Sequence, residues 1–205
     1  MGWWEQRVVP RLTDASLSQP PVDRLRAEAC RGLAGRVVEI GFGSGLNLPH
    51  LPTGVTGVDA VEPLDLGWER SAGRRAAYDV PVRRVGLDGQ ALAAPDDSYD
   101  AALCTFTLCT VADPGRALAE LRRVLVPGGR LHLLEHGLGP TPRVRRWQRR
   151  LDPLQRRVAG GCHLSRDPLA LAAGAGFTVE AVDQGYLAPG PGKPWAWVTR
   201  AVVRG

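Results

Sequence analysis

Residues 36–47 read Arg-Val-Val-Glu-Ile-Gly-Phe-Gly-Ser-Gly-Leu-Asn, and this stretch decides the fold. Val37, Val38 and Ile40 are apolar and β-branched, which marks a buried strand. Three glycines follow at every second position, Gly41, Gly43 and Gly45, and residues 46–51 read as the opening of a helix. A strand that feeds a glycine turn and then a helix makes a ligand site. Glycine accepts positive φ and has no Cβ, so a ligand can lie against the backbone, while a helix start offers free N–H groups.

Two nucleotide fingerprints compete for such a turn. The dinucleotide pattern G-x-G-x-x-G needs its third glycine three residues after the second, but position 46 is leucine and the third glycine comes early, at Gly45. Glu39 at the approach to the turn would repel a pyrophosphate and could pair with an ammonium group. A Walker loop would need Gly-Lys-Ser/Thr, which is missing. The run Glu39-x-Gly41-x-Gly43-x-Gly45 resembles the first motif of class I S-adenosylmethionine (SAM) methyltransferases. The resemblance implies that Glu39 and the turn, with Gly41, Phe42, Gly43, Gly45 and Asn47, receive the methionine end of SAM. The alternative is a strand–turn–helix without a ligand.

A chain of 205 residues fits one domain with a substantial core, and 44% hydrophobic with 23% charged residues is ordinary for a soluble protein. No apolar run approaches the roughly 20 residues that cross a bilayer, and no signal-peptide pattern opens the chain, so a cytoplasmic location is expected. Cys30, Cys104, Cys109 and Cys162 form no C-x-x-C pair, so buried reduced thiols are expected and no metal site. The net charge of +5 comes almost wholly from arginine, since Lys193 is the only lysine.

In the first 33 residues, Trp3, Trp4, Val8, Val9 and Leu12, then Leu25, Ala29 and Leu33, suggest two short helices broken at residues 18–21. They either cap the cleft or pack Trp3 and Trp4 on the domain. Residues 55–61 read as the second strand. An acid at its end would suit a ribose diol, because a carboxylate accepts from both hydroxyls. Glu62, immediately before Pro63, is better placed at the strand's exit than Asp59, which remains the second candidate. Residues 68–78 read as a helix and residues 80–85 as a third strand. In the resembling family an acid after this strand meets the adenine amino group beside an apolar neighbour. Asp88, Leu87 and Gly89 match those places.

Residues 101–106 form a fourth apolar strand, and Asp113-Pro114 caps a helix over residues 115–125 that buries Ala117, Leu118, Leu121 and Val124. The run Ala-Leu-Ala-Glu-Leu-Arg-Arg-Val-Leu-Val-Pro-Gly-Gly and the strand after it are a second match to class I methyltransferases. By that resemblance, Thr105 and Leu108 lie beneath the methionine portion of SAM.

Glu135-His136-Gly137 stands at the exit of strand five, where open α/β sheets bind ligands. His136 is the candidate base or substrate contact, a structural role being the alternative, and His163 reads as structural. Residues 143–157 are basic, with Trp147, Leu151, Leu154 and Val158 on one face; a solvated helix face is the ordinary reading of such a run. Peripheral contact with an acidic lipid surface is the alternative, and nucleic acid is not expected as a partner. Two strand-like segments, 178–183 and 195–203, end the chain as an antiparallel hairpin. The motifs Cys-Thr-x-x-Leu-Cys, Glu-His, Leu-Asp-Pro and Gly-Cys-x-Leu-Ser-Arg narrow the resemblance to the branch holding the alkyl-thiol S-methyltransferases, near the ubiquinone and menaquinone C-methyltransferases. Residues 1–33 show no counterpart of the hydrophobic anchor of the animal thiol enzymes.

The expectation is thus an α/β Rossmann-like class I methyltransferase fold, a mostly parallel seven-stranded sheet with an antiparallel last strand and helices on both faces. Residues 1–33 would be a helical cap, 34–135 the SAM-binding core, and 136–205 the substrate side with the C-terminal hairpin. The expected reaction moves a methyl group from SAM to a small acceptor: a thiol, a phenol or hydroxyl, or a quinone-like carbon. The alternatives are a non-catalytic SAM-binding module and a nucleic-acid-directed methyltransferase.

Overall fold

The computed structural model describes residue 3, residues 7–187, residue 190 and residues 193–205. Trp4 lies outside them, and Trp3 is exposed rather than packed on the domain. Helices α1 (Val9–Leu17) and α2 (Pro20–Cys30) precede strand β1 (Gly35–Ile40) and are separated as the 18–21 break predicts, with Pro20 opening α2.

Strand β2 (Val55–Val61), β3 (Val82–Gly86), β4 (Tyr99–Thr105), β5 (Leu125–His136), β6 (Thr178–Tyr186) and β7 (Trp197–Arg204) complete a seven-stranded sheet. Its order is β3-β2-β1-β4-β5-β7-β6. The first five strands are parallel, and β7 runs antiparallel to both β5 and β6. Side chains alternate across the sheet, so Val38, Ile40 and Cys104 enter one core with α5 (Pro114–Val124) and α7 (Pro168–Gly174). Val37, Leu103 and Ala101 enter a second core with Cys30, Leu33 and Phe42. Two buried faces explain why Val37, Val38 and Ile40 of β1 are all apolar, neighbours on opposite faces included. Because β1 leads to β2 on one side and β4 lies on the other, the crevice at their carboxyl ends is the switch point where such sheets take ligands.

Two helices differ from expectation. Residues 46–51 form only a single 3-10 turn, Leu48–His50, not the start of an α-helix. Pro49 lies inside it and Pro52 comes soon after, and neither residue can supply the N–H that continues a helix. The stretch 68–78 is two short helices, α3 (Asp65–Arg70) and α4 (Ala72–Ala76), which meet at Ser71. The Ser71 hydroxyl donates to the Trp68 carbonyl at 2.6 Å and accepts from Arg75, competing with the backbone ladder.

Helix α6 (Pro142–Val158) carries the basic stretch. It is held by Val144 and Gln148, whose amide donates to the Gly137 and Pro194 carbonyls at 2.8 and 3.0 Å. Trp147 and Leu154 face outward. The short α8 (Lys193–Ala196) precedes β7. Among the described residues no helix is long and apolar enough to cross a membrane.

Candidate functional site

At the end of β1, Glu39 is fully buried beside Leu103 of β4. Its Oε1 accepts from the Asn47 amide at 2.7 Å, and its Oε2 has no hydrogen-bond partner among the described residues. The same amide donates to Thr105 Oγ1 at 3.0 Å. From α2, Arg26 donates to Asn47 Oδ1 at 2.8 Å and to Thr105 Oγ1 at 2.9 Å. Burial pushes the Glu39 carboxyl up to about 8, against the opposing pull of the Asn47 hydrogen bond and the Arg26 charge. A buried acid with one idle oxygen is costly unless something cationic or donating reaches it.

The three turn glycines all have positive φ, but their surroundings differ. A Cβ on Gly41 would collide with the Thr107 side chain, and one on Gly45 would crowd Phe42, Leu48 and Ser71. Gly43, at φ +57°, opens outward: among the described residues its Cβ would find only the Gly41 carbonyl, 3.9 Å away. The Gly43 N–H donates to Glu62 Oε2 at 2.7 Å, and Leu64 N–H donates to Oε1 at 2.8 Å. Burial raises the Glu62 carboxyl above its usual range. Each of its oxygens retains a lone pair for a further donor. Asp59, the other candidate, is already engaged by Arg36, Arg83 and the Tyr99 hydroxyl on the flank of the sheet.

The remaining predicted residues fall into place unevenly. Phe42 points inward, its ring 5.6 Å from that of Trp68, so only its main chain faces the turn. Pro63 and Leu87 are exposed. Asp88 is exposed too, and its Oδ1 accepts from the Gln90 backbone and side chain, which hold its carboxyl below the usual range. A Cβ on Gly89 would press on Ile40 at 3.3 Å, so this glycine lets the third strand's exit approach β1.

At the exit of β4, Phe106 has φ +52°, a left-handed conformation that a bulky residue adopts only under strain. The Arg26 guanidinium lies 5.4 Å from its ring centroid. Glu135 of β5, fully buried, accepts from the Thr107 and Leu108 N–H groups at 2.8 and 3.1 Å and so fixes this loop. Thr105 is thus part of the Glu39 network, whereas the Leu108 side chain belongs to the core. The His136 Nε2 lies 3.0 Å from Cys162 Sγ. His163 pairs with Asp152 at 3.3 Å and donates its backbone N–H to the Cys109 carbonyl. Cys109, Cys162 and His136 therefore stand together, although the sequence separates them widely.

Above the turn, Asp14 of α1 accepts from the Ser44 hydroxyl and, at 2.5 Å, from Arg70 of α3. Sequence pattern alone does not mark Asp14 or Arg26 as site residues. For Arg26 a signal existed: it falls on the face of α2 that buries Val22, Ala29 and Cys30, where an arginine needs a reason.

Residues 38–133 match the family described as methyltransferase domain. Thiol S-methyltransferase TMT1B of Rattus norvegicus is 35% identical over 136 residues, covering 64% of this chain and 55% of that protein. Demethylmenaquinone methyltransferase of Clavibacter sepedonicus is 36% identical over 111 residues, 54% of this chain and 45% of that protein. The chain thus spans about half the length of these curated relatives. Among solved structures, a SAM-dependent methyltransferase of Thermotoga maritima superimposes with a TM-score of 0.70 at 25% identity, over 100% of this chain and 99% of that one.

Proposed function

We propose that this chain is a class I SAM-dependent methyltransferase and that it transfers the methyl group of SAM to a small acceptor. The acceptor is a thiol, a phenol or other hydroxyl, or a quinone-like carbon. The observation that carries this reading is the idle, buried Glu39 Oε2 beside an outward-opening Gly43 and a Glu62 with lone pairs to spare. An ammonium group suits the first, a flat ligand edge the second, and a ribose diol the third.

Glu39, with Asn47 and Thr105 behind it, would hold the amino end of the methionine moiety, and Glu62 the ribose. Leu87, Asp88 and Gly89 would border the adenine. Bound SAM supplies a methyl group on a sulfonium that is already a good leaving group, so the chain's task is alignment more than activation. The strained Phe106 and the Glu135-fixed loop after β4 give that alignment a rigid floor. His136 is the candidate base for a hydroxyl or carbon acceptor, a role open to it only while its imidazole binds no metal.

Calorimetric titration with SAM, S-adenosylhomocysteine and NADH tests this reading. Micromolar binding of the first two and none of NADH is expected, and binding of NADH alone would overturn it. Glu39 adds a signature. Its carboxyl must give up a proton to pair with an ammonium, so SAM binding should release protons and tighten about eightfold between about pH 6.5 and 7.5. Glu39→Gln should lose both effects; equal pH dependence in the two proteins would remove Glu39 from the amino end.

Helix α1 is proposed as part of a cap over the turn, since Asp14 ties Ser44 to Arg70. Asp14→Ala should weaken SAM binding about fivefold, roughly 1 kcal/mol, through a faster off-rate measured by stopped flow. An unchanged off-rate would leave α1 a mere covering helix.

A further inference from the structure

We propose that Cys109, His136 and Cys162 form a binding site for one zinc ion. One ligand atom from each, two thiol sulfurs and an imidazole nitrogen, lie within 4.8 Å of one another. Tetrahedral zinc, with Zn–S near 2.3 Å and Zn–N near 2.0–2.1 Å, sets such atoms roughly 3.5–3.8 Å apart, so sub-ångström shifts complete the site. Two thiolates with one imidazole are soft ligands of the kind zinc selects, and both cysteines are buried.

The three ligands come from rigidly tied segments. Cys109 follows β4 in the loop fixed by Glu135, and His136 ends β5. Cys162 lies in the connection after α6. There, Leu164 N–H donates to Asp152 at 2.7 Å, and Arg166 donates to the Leu108 and Val111 carbonyls at 2.5 and 2.6 Å. His163 N–H, donating to the Cys109 carbonyl at 2.8 Å, joins the two cysteine loops directly. Such supporting contacts orient metal ligands. Loading would release one proton from each cysteine, both becoming thiolates.

Three protein ligands leave the fourth position open, as catalytic zinc sites do. On the methyl-transfer reading above, a thiol is the acceptor class this position suits. It would bind as the thiolate, its proton passing to solvent, and its sulfur would form the new S–CH3 bond as the sulfonium's S–CH3 bond breaks.

The test uses the full chain, purified under a thiol-free reductant. Metal analysis after zinc loading should give one zinc per chain. Cobalt substitution should give the sulfur-to-metal charge-transfer and visible bands of a tetrahedral two-sulfur site, and an alkanethiol should intensify them. Cys162→Ser and Cys109→Ser should each lower metal content at least about tenfold while circular dichroism stays unchanged. If a variant fails to fold, His136→Gln gives the same readout without altering either sulfur. Failure of the wild type to take up zinc or cobalt, or a cobalt spectrum without sulfur charge transfer or thiol response, would overturn the site. SAM binding by a metal-free protein would then leave the methyltransferase reading intact; metal uptake without SAM binding would do the reverse.

Discussion

Gly43→Val should weaken SAM binding at least about 100-fold, or roughly 2.7 kcal/mol, in a protein that still folds. The reason lies in the unequal surroundings of the turn. A valine at φ +57° carries backbone strain of about 1–2 kcal/mol, which a 205-residue domain tolerates as a few degrees of melting temperature. Among the described residues, chain neighbours aside, no atom meets the new Cβ closer than 3.9 Å, so the side chain stands in the space above the turn. On the proposed placement, that space is the ligand's. The Gly43 N–H would also lose its aim at Glu62, now 2.7 Å away. Gly41→Val is the contrasting control: its side chain strikes Thr107, and it should unfold the protein instead of blocking a ligand. A folded Gly43→Val protein with unchanged SAM affinity would refute the placement.

Glu62→Ala should cost a similar factor, for a different reason. The carboxylate receives two backbone N–H groups, at 2.7 and 2.8 Å, and the proposed ribose hydroxyls would be its third and fourth donors. Removing it deletes both ligand hydrogen bonds and leaves the Gly43 and Leu64 N–H groups unpaired. The decisive comparison uses S-adenosylhomocysteine and its 2′,3′-dideoxy analogue. Wild-type protein should prefer the parent strongly, and the Glu62→Ala protein should hardly distinguish them. Asp59→Ala should instead lower stability with little effect on affinity, because Asp59 is spent on Arg36, Arg83 and Tyr99. The reverse pattern would make Asp59 the ribose acid.

These two variants also show how far sequence alone reaches. The apolar run before Gly41 and the helix capped by Asp113 were legible because pattern and tertiary burial agree there, and Asp113 does accept from the Arg116 N–H at 2.9 Å. The turn itself was legible from three glycines. The segment beyond the turn was not, since Leu46 and Leu48 mimic a helix while Pro49 and Pro52 limit it to one 3-10 turn. The choice between Glu62 and Asp59 rested on a proline, yet what separates them is the set of arginines around Asp59, drawn from β1 and β3. The partners of Arg26, the left-handed turn at Phe106 and the meeting of Cys109, His136 and Cys162 were invisible for one shared reason. Their meaning arises from neighbours far away in sequence, and local periodicity carries no record of those neighbours.

That distance also bears on how the molecule assembles. Arg26 and Thr105 are 79 positions apart, and their hydrogen bond joins α2 to the fourth strand of a parallel sheet. Contacts of such span form late in folding, because long chain loops must close first. The proposed amino-end pocket is therefore complete only when the N-terminal helix has docked on a finished central sheet. A ligand at that pocket rewards the final state alone, contributing about 2.7 kcal/mol at a hundredfold excess over its dissociation constant. A methyl donor bound there would thus double as a selective stabiliser of the fully assembled chain.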